Sequence, residues 1–398
     1  MRFPEFTEEW GKYKVSDVLD FYSTNSLSWE QLDYDNEDLY NLHYGLIHVG
    51  LPTLVDIGQY KLPGIKTECK PKNFELCKEG DVAFADASED TNDVAKAIEF
   101  VNLNNQKTVC GLHTIHGRDN KHLTVLGYKG YAFASPLFHN QIRRIAQGTK
   151  IYSISSKNFA ECYIGIPSKD EQSKIARLLA LIDSRIATQN KIIEDLKKLK
   201  VAITQKISKD KSNKKVMLSE LLTERCEKNK DLYPVHSVSV SKGIINQIDY
   251  LGRSFAANDI SNYNVVYYGD IVYTKSPTGD FPYGIVKMNS INAKVSVSPL
   301  YGVYHPSSEY VGIYLHNYFS NSLNAKNYLH KLIQKGAKNT INITNKRFLE
   351  NEISLPNEAL LKEYSLFIST FDLKIKSEQK ALLLLQKQKE YLLQQMFI

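Results

Sequence analysis

Two stretches of the chain carry apolar residues at steps that alternate three and four. The first runs through Leu179, Ile182, Ile186, Gln189, Ile193, Leu196, Lys200 and Ile203. The second runs through Ile368, Phe371, Ile375, Glu378, Leu382, Leu385, Lys389 and Leu392. This is heptad spacing, and it predicts two long amphipathic helices with coiled-coil seams. Both seams turn polar at the same two places, Gln189 with Glu378 and Lys200 with Lys389, as register-setting positions do. The coincidence predicts that the helices pack on each other, antiparallel. At ~1.5 Å per residue, each would run for about 55 Å and act as a spacer between globular domains.

The seams belong to a larger repeat with an offset of 189 residues. Gly80-Asp81-Val82 returns as Gly269-Asp270-Ile271, and Lys157-Asn158-Phe159 as Lys346-Arg347-Phe348. Pro167 returns as Pro356, and Asp183 as Asp372. Near the start the phase slips, because Val15-Ser16-Asp17-Val18 matches Leu218-Ser219-Glu220-Leu221 at an offset of 203. The first copy therefore carries extra residues in its amino-terminal half. Ahead of each helix, β-branched and aromatic clusters lie between Gly, Asp, Asn and Pro breakers, as at 80–85, 151–154, 265–268, 270–273 and 293–297. Helical spacing is rarer, at 141–146 and across 311–335. The expected fold class is α+β, with two similar domains in tandem and pseudo-two-fold symmetry. The boundaries are 1–166 for the first domain, 167–208 for its helix, 209–355 for a linker and the second domain, and 356–398 for the last helix. Ser168 with Glu171 has the spacing of a capping box at the first helix start. Residues 208–215, polar and basic, read as linker.

A chain of 398 residues suits two cores rather than one. The formal net charge of +6 is mildly basic and compatible with nucleic acid. No run of eighteen apolar residues is present, and residues 1–10 are acidic and polar, so neither a membrane span nor a signal peptide is expected. Five cysteines without a Cys-x-x-Cys pair suggest free thiols and a cytoplasmic setting. Twenty-five tyrosines exceed what a core needs and leave rings for a wet surface.

Cations interleave with aromatics on the expected loops, as a phosphate-facing surface requires. In the first domain the candidate DNA contacts are Lys61, Lys66, Arg118, Lys121, Lys129, Arg143 and Arg144. In the second they are Lys242, Arg253, Lys275, Tyr283 and Lys287. A Gly-small-Lys turn recurs before each helix, at Gly148 with Lys150 and at Gly336 with Lys338, and presents backbone N–H groups beside a cation. No catalytic residue is assigned and no cofactor is expected, since neither a phosphate-binding Gly-x-x-x-x-Gly-Lys loop nor a Gly-x-Ser-x-Gly elbow occurs. Cys110, His113, His116 and His122 could bind zinc, but they lack the second half of a structural site and have no counterpart in the other copy. No metal site is assigned to them. The carboxylates Asp86, Glu89 and Asp90 are likewise not repeated, which speaks against paired acid chemistry.

The layout resembles the specificity subunits of type I restriction–modification enzymes. The likeness rests on Arg2-Phe3-Pro4-Glu5-Phe6, the Gly-Asp-Val/Ile strands, the Gly-small-Lys turns and the two helices. The first helix opens Pro167-Ser168-Lys169-Asp170-Glu171-Gln172-Ser173-Lys174-Ile175-Ala176, close to the family's Pro-x-x-x-Glu-Gln-x-Lys-Ile-Ala. The second departs from it, with Ala359-Leu360-Leu361-Lys362-Glu363. The resemblance implies a non-catalytic DNA-reading subunit with two target-recognition domains, each reading half of an asymmetric, bipartite sequence. The helices would set the spacing. Two methyltransferase subunits would dock against them, and restriction/translocase subunits would join. The rival readings are a coiled-coil scaffold that binds proteins and a self-contained DNA-modifying enzyme.

Overall fold

A computed structural model describes residues 2–253, 256–335 and 341–397. The chain divides into two compact units, Met1–Asn190 with Lys380–Ile398, and Lys191–Gln379.

In the first unit the strands are β1 (Gly11–Lys14), β2 (Asp20–Tyr22), β3 (Tyr40–Leu42), β4 (Leu54–Asp56), β5 (Val82–Ala85), β6 (Ala97–Asn102), β7 (Thr108–Cys110) and β8 (Thr114–Arg118). Helices α1 (Tyr128–Phe133) and α2 (Pro136–Ile145) follow, then β9 (Tyr163–Ile166) and the long α3 (Lys169–Ser208), which continues into the second unit from Lys191. Strands β2-β8-β5-β6-β4 form one sheet in that order, and β7 pairs in parallel with β3 in another. The core gathers Phe84, Phe133, Phe138 and Phe159 edge-on or tilted. Leu179 and Ile182 of α3 join it, as do Leu392, Met396 and Phe397 from the end of the chain.

The second unit repeats the plan with β10 (Lys214–Met217), β11 (Leu222–Glu224), β12 (Ile271–Thr274), β13 (Ile285–Met288) and β14 (Gly302–Pro306). Helices α4 (Glu309–Ser320) and α5 (Ser322–His330), strand β15 (Glu352–Leu355) and the long α6 (Glu358–Met396), which returns to the first unit at Lys380, complete it. The sheet order β11-β14-β12-β13 matches β2-β8-β5-β6 of the first unit. Each long helix is launched from an equivalent ribbon. Gly11 faces Ile166 and Lys14 faces Tyr163 in one, and Lys214 faces Leu355 and Met217 faces Glu352 in the other. In the second core Tyr273 stacks on Phe348 at 4.6 Å, among Tyr304, Phe319 and Tyr328. Leu361, Tyr364 and Ile368 of α6 pack on this core, with Ile203 and Ile207 at its edge.

The α+β, tandem-repeat expectation is borne out, and α3 and α6 pack antiparallel. In the second unit Lys200 meets Asp372 and Thr204 meets Tyr364, so one helix ascends as the other descends. In the first unit Lys389 meets Asp183. Of the seam positions, Leu179, Ile182, Ile193, Ile368 and Ile375 are buried, while Ile186, Leu196, Phe371, Leu382 and Leu385 are half-buried.

Several local expectations are revised. The helical spacing over 311–335 becomes two helices, because Asn321 takes an extended conformation and its side chain accepts the Asn324 N–H to start α5. The capping box at Ser168 is half formed. Ser168 accepts the Glu171 N–H, but the Glu171 carboxylate is buried against Arg2, with two bonds of 2.7 Å. The linker is short, since Lys214 and Lys215 already belong to β10. Many tyrosines are core residues after all. Tyr128, Tyr273, Tyr304, Tyr314 and Tyr328 are buried, and each hydroxyl donates to a main-chain carbonyl.

Candidate nucleic-acid interface

The Gly-Asp repeats place the same device in both units. Gly80 and Gly269 turn the chain at φ +85° and +84°, conformations that a Cβ would disfavour. The following aspartate is buried in each unit and accepts a main-chain N–H from three residues earlier, Lys78 to Asp81 and Tyr267 to Asp270. Arg118 donates to both carboxylate oxygens of Asp81 at 2.8 Å, and Arg225 donates to Asp270 at 2.7 and 3.1 Å. The repeat also brings His116 to Asp81 at 2.7 Å and His305 to Asp270 at 3.4 Å. Burial alone would raise the Asp81 pKa, but hydrogen bonds from His116 and Arg118 hold it below the usual range. Each guanidinium also lies over a tyrosine ring, Arg118 on Tyr22 at 4.4 Å and Arg225 on Tyr267 at 4.2 Å. The sequence shows the aspartates as strand signals. Their arginine partners sit at different places in the two copies, Arg118 at the end of β8 and Arg225 just after β11, so repeat comparison alone misses them.

Burial removes three of the sequence-nominated cations from any DNA-facing set. Arg118 is occupied by Asp81, by Glu75 at 2.7 Å and by the Leu76 carbonyl. Lys129 lies buried, 3.0 Å from Glu99. Glu99 is also buried and accepts the N–H groups of Gly127 and Gly130 at the start of α1. Burial raises the Glu99 pKa against the pull of Lys129. Lys287 is buried on β13, donating to Ser320 Oγ at 3.1 Å. Desolvation, with the Lys200 charge, pushes it down to about 8. None of the three can present an ammonium or guanidinium to a phosphate without unpacking its domain.

The other candidates lie at the surface. Lys61, Lys121, Arg143, Arg144, Gly148, Lys150, Lys242 and Arg253 are exposed, while Lys66, Lys275 and Tyr283 are half-buried. Some are tethered: Lys66 donates to the Glu30 carbonyl, Lys121 to the Asp17 carbonyl and Arg143 to Asn92. Lys242 lies 5.2 Å over the Tyr250 ring. Arg144 lines a cleft of about 780 Å³ with Arg2, Lys12, Trp10, Asn140 and Gln141. Gly148 has φ +143°, and a Cβ there would meet the Ile151 carbonyl oxygen at 1.9 Å, so the turn that carries Lys150 requires glycine. Gly336 and Lys338 lie outside the described residues.

The helix opening is built for internal contacts as well. Gln172 is buried, donating to the Pro167 and Leu123 carbonyls and accepting the Val125 N–H. Residues 101–198 match the family model described as the type I restriction modification DNA specificity domain. The resemblance read from the sequence is thereby borne out. The type I restriction–modification S subunit from M. genitalium is similar in fold over 100% of this chain and 99% of its own, with a TM-score of 0.55 at 15% identity. A structure described for complex assembly and conformational transition of a type I restriction–modification system matches over 98% and 97%, with a TM-score of 0.57 at 12% identity. No curated protein matches the sequence. The matched segment takes in β7, β8, α1, α2, β9 and most of α3, and so contains Arg118, Lys129, Arg144 and Lys150. Among the described residues, no helix is long and apolar enough to cross a membrane.

Proposed function

We propose that this chain is the non-catalytic DNA sequence-recognition subunit of a type I restriction–modification complex. The family match at 101–198 carries the reading, most of it within the first unit, whose sheet order the second unit repeats. Residues 1–166 and 209–355 are the two target-recognition domains, and 167–208 with 356–398 are the helices on which two methyltransferase subunits dock. Restriction/translocase subunits join that core, and the complex works in the cytoplasm. The exposed cations of each domain hold double-stranded DNA by its phosphates, and neighbouring loops read bases.

The two copies differ in the elements beside their common sheet. The first adds β4 at the sheet edge and the β3–β7 pair, which supports unlike half-sites and a target that is bipartite and asymmetric. The test is to express the chain with its modification subunits and map methylated bases across the host genome. A two-part methylated motif with a fixed gap, lost when this chain is omitted, is the expected result. Methylation that persists without the chain would overturn the assignment.

A further inference from the structure

The fold assembles a sulfur–imidazole cluster different from the one suggested by cysteine and histidine spacing. His113 turns away to Asp86 at 3.1 Å, and His122 is exposed. Cys77 comes in instead, from the segment before β5, held by its N–H to the Thr108 carbonyl at 2.8 Å. It meets Cys110 at the end of β7 and His116 in the middle of β8. All three are buried, with exposures of 6%, 1% and 0%. The two Sγ atoms are 3.6 Å apart, and the ligand atoms of the three residues lie within 4.8 Å of one another. His116 Nε2 is taken by Asp81, yet its buried Nδ1 has no hydrogen-bond partner.

We infer that Cys77, Cys110 and His116 Nδ1 form a zinc site. Two thiolates and an imidazole are a donor set that suits zinc. Zinc–sulfur bonds of about 2.3 Å in a tetrahedron put the sulfurs about 3.8 Å apart, near the spacing found here. Asp81 on Nε2 is the outer carboxylate of a carboxylate–histidine–metal relay, which orients the ring and leaves Nδ1 for the ion. The charges also balance. Binding sends one proton from each thiol to solvent, the two thiolates offset the dication, and Arg118 offsets Asp81. Three protein donors are the count of an open site, so the ion should yield to a strong chelator. The second unit acts as an internal control. It keeps the histidine as His305, but Val266 and Pro299 stand where the repeat would place the cysteines, and His305 is 64% exposed. The ion would pin β7, β8 and the chain before β5 within the first unit only.

The experiment is metal analysis of the full chain, purified without a histidine tag, followed by chelation and titration with Co²⁺. One zinc per chain is expected, lost in Cys77→Ser and Cys110→Ser but retained in Cys162→Ser and Cys226→Ser. The chelated wild-type chain should take up one Co²⁺ with a thiolate-to-cobalt charge-transfer band, a readout that needs no variant to fold. Four results would each overturn the site. They are a metal-free chain without that band, a different resident metal, an intact mass lowered by the two hydrogens of a Cys77–Cys110 disulfide, or zinc retained in both variants.

Discussion

The Lys200 ammonium lies 2.6 Å from the Asp372 carboxylate, and the repeat reproduces the pair as Lys389 with Asp183 at 2.7 Å. A lysine that interrupts one seam therefore meets an aspartate of the facing helix, within each unit. Such a pair penalises any slip in register, because a shift by one helical step would leave both charges against apolar neighbours. All four side chains keep some access to water, so each pair should contribute modestly. Lys200→Glu is expected to lower stability by roughly 1–2 kcal/mol through like-charge contact, and Lys200→Glu with Asp372→Lys should recover most of it. A double-mutant cycle by chemical denaturation measures the coupling. Strictly additive effects would deny the pair its register role.

Lys129 and Glu99 belong to a different regime, since both are buried. Lys129→Met leaves a carboxylate with only the Gly127 and Gly130 N–H groups and should cost about 3–5 kcal/mol. Thermal unfolding would register the loss. An unchanged melting temperature would mean that Glu99 already takes up a proton in the folded chain.

DNA affinity should separate buried cations from exposed ones. Lys150→Ala or Lys242→Ala is expected to reduce the slope of log affinity against log salt by about 1, as the loss of one phosphate contact does. Lys287→Met, which alters a buried group, should leave that slope unchanged. Titrations with bipartite target DNA at several salt concentrations make the comparison. Equal slopes for Lys150→Ala and wild type would remove the turn at Gly148 from the interface.

Lys287 also predicts a pH dependence. Its pKa is about 8 in the folded chain against an ordinary 10.5. Below pH 8 both folded and unfolded chains carry the charge, and folding bears the full cost of burying it. Between about pH 8 and 10.5 the folded lysine releases its proton while the unfolded one keeps it, so that cost falls as pH rises. Lys287→Met should therefore be the more stable protein at neutral pH, by roughly 1–3 kcal/mol, with the gap narrowing toward pH 10. Parallel denaturation curves at pH 7 and 9.5 test this, and a gap that widens would reverse the assignment.

Periodicity and repetition made the architecture legible. The seam from Leu179 to Ile203 and its copy from Ile368 to Leu392 encode helix and partner in one dimension, because heptad spacing and matched interruptions survive duplication, while the Lys–Asp partners that set the register appear only in the structure. The Gly-Asp pairs were legible as a repeat of strand signals, whereas the left-handed glycine and the turn-closing carboxylate emerged only in the structure. The tertiary structure alone decided which polar groups face inward. Arg118, Lys129 and Lys287 read like any surface cation until their strands or helix set them against Asp81, Glu99 and Ser320. Cys77 lies 33 positions from Cys110, and no spacing rule joins them until parallel pairing of β7 with β3 and antiparallel pairing of β8 with β5 close the space between. Helical and turn preferences depend on neighbours a few residues away, whereas burial and ion pairing depend on contacts that exist only once the sheets have formed.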